Sequence, residues 1–234
     1  MSGTRDYERL KALARAKRGE HEVTTGSIGL SSVRGIYKAE GIKLDLWHYK
    51  LRRVRAAYFI CDGEPHVLVN AQLPEAPRLF AECHELKHHY EDRAIAEESG
   101  FACEELAWAK APEREIGAEV FAAEFIYPES EFLEDLRASG LNDGNCTVER
   151  VIALKRGAIP PISYQFIVKR LEWFGITRTG QFAKVQWKKR EAEIYGPPVY
   201  VQIRERRARM NAAFGSRTDF QSRSKLRMSR PGLQ

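Results

Sequence analysis

The chain has 234 residues, 43% of them hydrophobic and 30% charged, the range of an ordinary globular protein of one or two domains. With no apolar run near the roughly 18 residues of a membrane span, no apolar stretch at the N-terminus, and no CxxC pair among Cys61, Cys83, Cys103 and Cys146, the sequence argues against a membrane helix, a secretory signal, a disulfide framework and a thiolate metal site, and predicts a reducing cytoplasm. The formal charge of +6 is uneven: residues 184–234 hold 13 Lys/Arg against 4 Asp/Glu, so the preceding residues are slightly acidic and the basicity belongs to the tail.

In chain order, residues 5–18 predict a short basic helix and "HEVTTGSIGLSS" a loop. "SVRGIYKAEGIKLDLW" predicts a helix stopped at Gly41 and then a strand over 42–46. "RAAYFICDGEPHVLVN" predicts a hairpin, with strands 55–61 and 66–70 joined by the Asp62-Gly63 turn. "PEAPRLFAECHELKHHYEDR" is helical after Pro77, and residues 93–111 are expected to be irregular or weakly helical with a break at Gly100. "PEREIGAEVFAAEFIYP" is a strong helix opened by Pro112 and stopped by Pro128. Two more helices, about 147–156 and 163–174, are joined by a turn holding Gly157, Pro160 and Pro161. "VYVQIRERRARMNAAF" predicts a strand followed by a basic helix, and the polar, basic stretch from Gly215 predicts disorder. No internal repeat is visible.

The chemistry concentrates in "HELKH", residues 84–88. On a helical wheel Leu79, Phe80, Cys83, Leu86 and Tyr90 form one arc that predicts the core face. His84 and His88 lie about 40° apart and one turn apart along the axis, so both imidazoles can meet one ion. Glu85 stands about 100° round from His84, placed to take a proton from a water on that ion rather than to bind it. Two neutral nitrogens and a nearby carboxylate are the division of labour of a zinc hydrolase. A catalytic site of this kind needs a third protein ligand and an open position. On the next helix Glu115, Glu119, Ala122 and Ile126 share a face, beside Ala118, Phe121 and Phe125. Carboxylates on such a stripe either bind a cation or turn outward to solvent, Arg114 or Lys110. His89 points away from the presumed metal face and reads as solvated or as a support for the ligands, while His21, His48 and His66 have no ligand spacing.

"HELKH", then 26 residues, then "EIGAEVFAAEFIYP" resembles the ImmA/IrrE family of metallopeptidases, in which HExxH is followed by an ExxAxxFAxxLLxP-like helix. Glu115, Ala118, Phe121, Ala122 and Pro128 fill that pattern, and the likeness spans roughly residues 28–176. Lys87 departs from it, standing where the family usually has Gly, as does Glu119 in place of Asn or Asp. The resemblance implies His84, His88 and Glu115 as metal ligands and Glu85 as general base, with Glu119 the alternative third ligand. Zinc is the expected ion; manganese and iron also suit two imidazoles and a carboxylate. It further implies a zincin-like α+β fold: a small, mostly antiparallel sheet with an HExxH helix and a second ligand helix, followed by a helix-turn-helix-like pair. The expected divisions are an N-terminal extension over 1–27, the peptidase core over 28–145, the helical pair over 146–180 and a basic extension over 181–234.

The pair offers Val151, Ile152, Leu154, Phe166, Ile167, Leu171 and Trp173 as inward residues. It reads either as a DNA-binding motif or, more in keeping with its Pro-Pro turn, as a hairpin packed on the core. The basic tail is either solvated or a weak, non-specific phosphate contact. Two functions follow as expectations. The first is a cytoplasmic zinc endopeptidase whose substrate, by the resemblance, is a helix-turn-helix repressor cleaved to switch on stress or mobile-element genes. Its extended peptide would lie beside an edge strand such as 66–70. The second is a non-proteolytic metal-binding regulator that binds DNA through the pair and the tail.

Overall fold

The computed structural model describes residues 2–49, 54–99 and 112–211. The break expected at Gly100, Cys103 and the tail from Gly215 lie outside the described residues. The chain divides into two compact units, Met1–Ala183 and Lys184–Gln234.

The first unit is α+β. Helix α1 (Ser2–Glu20) is longer than predicted, and α2 (Leu30–Ala39) ends at Gly41, which takes the left-handed φ of 70° that a chain reversal requires. Strands β1 (Lys43–Trp47), β2 (Ala56–Cys61) and β3 (Glu64–Asn70) form a sheet of order β1-β3-β2. The β2–β3 hairpin turns on Asp62 and Gly63, both left-handed, the geometry whose twist matches the strands. β1 joins β3 in parallel, from Lys43 opposite His66 to Trp47 opposite Asn70. One of the two pairings is therefore parallel, where a mostly antiparallel sheet was expected. The edge-strand expectation for 66–70 is overturned too: β3 is central, with its backbone bonded on both sides, so no peptide can add to it.

Helix α3 (Glu75–Glu91) carries the HExxH segment and touches α2, β2, β3, α4 (Arg93–Ser99) and the second ligand helix, α5 (Pro112–Ile126). That enclosure explains why α3 buries more than the predicted arc. Leu79, Cys83 and Leu86 face the core, and so do Glu82, Glu85, Lys87, His88 and His89. α5 is held from two sides. α1 packs along it with Leu10 and Ala14 buried, and α6 (Glu129–Ala138), absent from the predicted elements, follows its stop at Pro128. Carbonyls at the C-terminal end of α5 accept from two buried arginines. Arg18 of α1 donates to the Phe125 carbonyl, and Arg170 to those of Ala123 at 2.8 Å and Tyr127 at 2.6 Å.

Arg170 belongs to the helical pair, α7 (Val148–Gly157) and α8 (Tyr164–Trp173), each opened by a side-chain cap, from Thr147 and Ser163. Val151, Ile152, Phe166, Ile167 and Leu171 are buried as predicted, whereas Trp173 is 59% exposed, against Tyr7 and Lys11. Both α1 and the pair belong to the same compact unit as the core.

In the second unit, α9 (Trp187–Tyr195) and α10 (199–211) are separated by Gly196, Pro197 and Pro198. The strand expected at the start of "VYVQI" is helix instead. Val201 and Gln202 bond back to the Pro198 carbonyl, satisfying within one segment a backbone that a strand would have to pair elsewhere. Among the described residues no helix is long and apolar enough to cross a membrane.

Candidate metal centre

His84 and His88 project from successive turns of α3, and Glu115 from the first turns of α5. Small residues let the helices approach: Ala118 and Ala122 are fully buried on α5, and a Cβ at Gly117 would meet Leu10 Cδ1 at 3.0 Å. His84 Nε2 lies 3.1 Å from Glu115 Oε2 and 3.2 Å from His88 Nε2, and His88 Nε2 is 3.8 Å from Glu115 Oε1. One donor atom from each of the three residues fits within 4.8 Å of the others.

Asp92, just past the end of α3, fixes which nitrogens face inward. Its Oδ2 accepts from His88 Nδ1 at 2.7 Å and from Lys87 Nζ at 2.7 Å. Burial would push the Asp92 carboxyl up, but the two donors outweigh it and hold the group below its ordinary range, so it is an anion that only accepts. The Nδ1 proton of His88 is thereby assigned. Burial in turn drives the His88 pKa down to about 4 despite that bond, leaving the ring neutral with its Nε2 lone pair toward His84 and Glu115. This is the carboxylate–histidine arrangement that orients metal ligands. Asp92 escaped the sequence reading, although its spacing of four from His88 on one helix face was a visible signal.

Glu85 is buried, 1% exposed, one residue on from His84. Glu119 stands outside the cluster and pairs with Lys169 of α8 at 2.9 Å. Of the two readings of His89, solvated or supporting the ligands, the solvated one fails, since the residue is buried. β2 covers that side of α3, and His89 Nδ1 sits 3.2 Å from the buried Tyr58 hydroxyl. His66 stacks on Phe59. His21 meets Glu40 at 2.9 Å in a second group with Glu20, but the Lys17 ammonium, 2.8 Å from Glu20 and 3.8 Å from Glu40, already supplies that group's cation.

Two borderline-soft imidazole nitrogens and one hard carboxylate oxygen suit a divalent first-row cation and leave a coordination position open. An HExxH helix and a second ligand helix over a small mixed sheet define a zincin-like metallopeptidase core. Residues 40–148 match the IrrE N-terminal-like domain of the peptidase M78 family, and the domain over those residues belongs to the ImmA/IrrE metallopeptidases. The match is shorter at both ends than the likeness read from the motifs and closes where α7 begins. No curated protein matches the chain.

A groove of about 540 Å³ is lined by Phe80, Ile116, Val120, Phe166 and Trp173 and by the Glu119–Lys169 pair. None of His84, Glu85, His88 and Glu115 lines it, although Phe80 stands one turn before His84 on α3 and Ile116 next to Glu115 on α5.

Proposed function

We propose that the chain is a zinc-dependent endopeptidase of the cytoplasm that cleaves a helix-turn-helix transcriptional repressor, switching on stress or mobile-element genes; manganese is the alternative ion. The observation that carries the reading is the meeting of His84 Nε2, His88 Nε2 and Glu115 Oε2, with a buried Glu85 next in the chain to His84. These three side chains would hold the ion. Once bound, it supplies Lewis acidity toward a water and toward the scissile carbonyl.

Glu85 takes the proton of the attacking water and returns it to the leaving amine, so the carboxylate is regenerated with each cut. Asp92 keeps the His88 proton on Nδ1 and the ligand lone pair on Nε2 throughout. Because β3 offers no edge, the substrate side chains flanking the cut are assigned to the groove over Phe80, Ile116 and Phe166, which favours apolar residues there. A basic tail with weak affinity for DNA would raise encounters with a DNA-bound substrate.

The test is to incubate the zinc-loaded protein with the repressor encoded beside its own gene and look for one cut. Glu85→Gln should keep the metal and lose at least about 100-fold in cleavage rate; cleavage at the wild-type rate would sink the role of Glu85.

The exposed arginines of α10 support the second reading, a regulator that binds DNA without proteolysis. Against it, α8 spends Tyr164, Phe166, Ile167, Arg170 and Leu171 on burial within its own unit, leaving few side chains to read bases. A regulator of that kind would tolerate Glu85→Gln in cells, and the peptidase would not.

A further inference from the structure

Lys87 is a buried cation one residue from a ligand of a cation site. Only 4% exposed, it sends its ammonium to Asp92 Oδ2, the same oxygen that accepts the His88 Nδ1 proton, with 2.7 Å to each. Its stem packs against α5 at Gly117, 3.7 Å from where a Cβ there would stand, an ordinary van der Waals contact. A lysine whose only use was solubility would not be enclosed between helices.

A carboxylate bonded to the far nitrogen of a ligating imidazole pushes electron density toward the metal and strengthens the ligand. Here that carboxylate oxygen is shared. The ammonium draws on the same lone-pair charge, and its own positive charge opposes a second cation a few ångströms beyond the imidazole. Both effects have one sign.

We propose that Lys87 is a positioning residue that tunes the site electrostatically: through Asp92 it weakens His88 as a donor, lowering the affinity for a divalent cation and leaving the bound ion more Lewis acidic. The inference rests on the metal-site reading above and needs only the fixed charge of the lysine. A purely structural brace predicts the opposite sign, since losing it would let Asp92 and His88 drift and loosen the ion.

The experiment measures the zinc dissociation constant by competition with a chromophoric chelator at pH 7.5, using the full chain. Lys87→Met should bind zinc on the order of ten- to a hundred-fold more tightly than wild type. Lys87→Arg, which keeps the charge, should stay within about three-fold, and Asp92→Asn should weaken binding by about ten-fold or more. If Lys87→Met does not fold, Lys87→Gln makes the same demand, since it keeps a donor toward Asp92 without the charge. Unchanged or weaker binding in a folded, uncharged variant overturns the tuning role. Wild-type protein that binds no zinc, or a His84→Ala variant that binds it as well as wild type, sinks the metal-site reading instead.

Discussion

His88 is where the metal-free site meets pH. Its unfolded-state pKa is about 6.5, and burial brings the folded value down to about 4. Between those values the unfolded chain binds a proton that the folded protein refuses, so stability rises with pH across this window and is lost as pH falls. This stability is fully present above about pH 6.5, and roughly 3 kcal/mol of it has been lost by pH 4. Asp92, also depressed, adds its loss at still lower pH. Urea unfolding of metal-free protein should therefore show a falling midpoint from pH 7 to pH 4.5, with a shallower fall in His88→Gln; equal slopes would refute the assignment. Zinc at about 100 times its dissociation constant should add about 2.7 kcal/mol, and chelation should remove it. At this scale the sequence is most legible where a partner sits within one turn. That His84 and His88 come together follows from helical periodicity. Asp92 obeys the same rule yet looks like an ordinary polar helix end. The solvated reading of His89 fails because its partner Tyr58 comes from a strand 31 residues away in the chain.

Among the elements, α5 decides whether Glu115 arrives. Its bounds are written locally, in Pro112 and Pro128. What holds it is not, since Arg18 and Arg170 approach from α1 and α8. The sequence marks both arginines only as basic residues on helices. The same limit applies to the sheet. Its strands follow from alternation and the Asp-Gly turn, but the parallel seating of β1 against β3 joins segments separated by β2 and accompanies the packing of α2 on α3. Arg170 is the clearer probe. Its guanidinium also lies over the rings of Phe132 at 5.5 Å and Phe166 at 5.4 Å. Arg170→Met keeps the apolar stem and removes two charge-assisted bonds to α5 carbonyls, at a cost of about 2–4 kcal/mol. The melting temperature should fall by roughly 5–15 °C. A shift within about 1 °C would mean that the Arg170 bonds do not help to hold α5.

For the molecule as a whole, charge and compactness divide at the same place. The unit ending at Ala183 is slightly acidic and contains the entire metal cluster, whereas residues 184–234 carry 13 Lys/Arg against 4 Asp/Glu. Arg204, Arg206, Arg207 and Arg209 are exposed on α10. Four such cations are enough for non-specific phosphate contact, which depends on counterion release and not on base sequence. Ending the chain at Ala183 should leave the melting temperature, the zinc affinity and the cleavage of a free repressor within error of wild type. It should abolish binding to random duplex DNA, which for the full chain should be weak, about 10⁻⁴–10⁻⁶ M, with a log–log salt slope near −4. Fluorescence anisotropy with a labelled duplex between 50 and 200 mM salt reads both quantities. Binding that survives the truncation at the same slope would move the DNA contact into the first unit and revive α8 as a reader; loss of zinc or a lower melting point would show that the second unit is needed for the fold of the first.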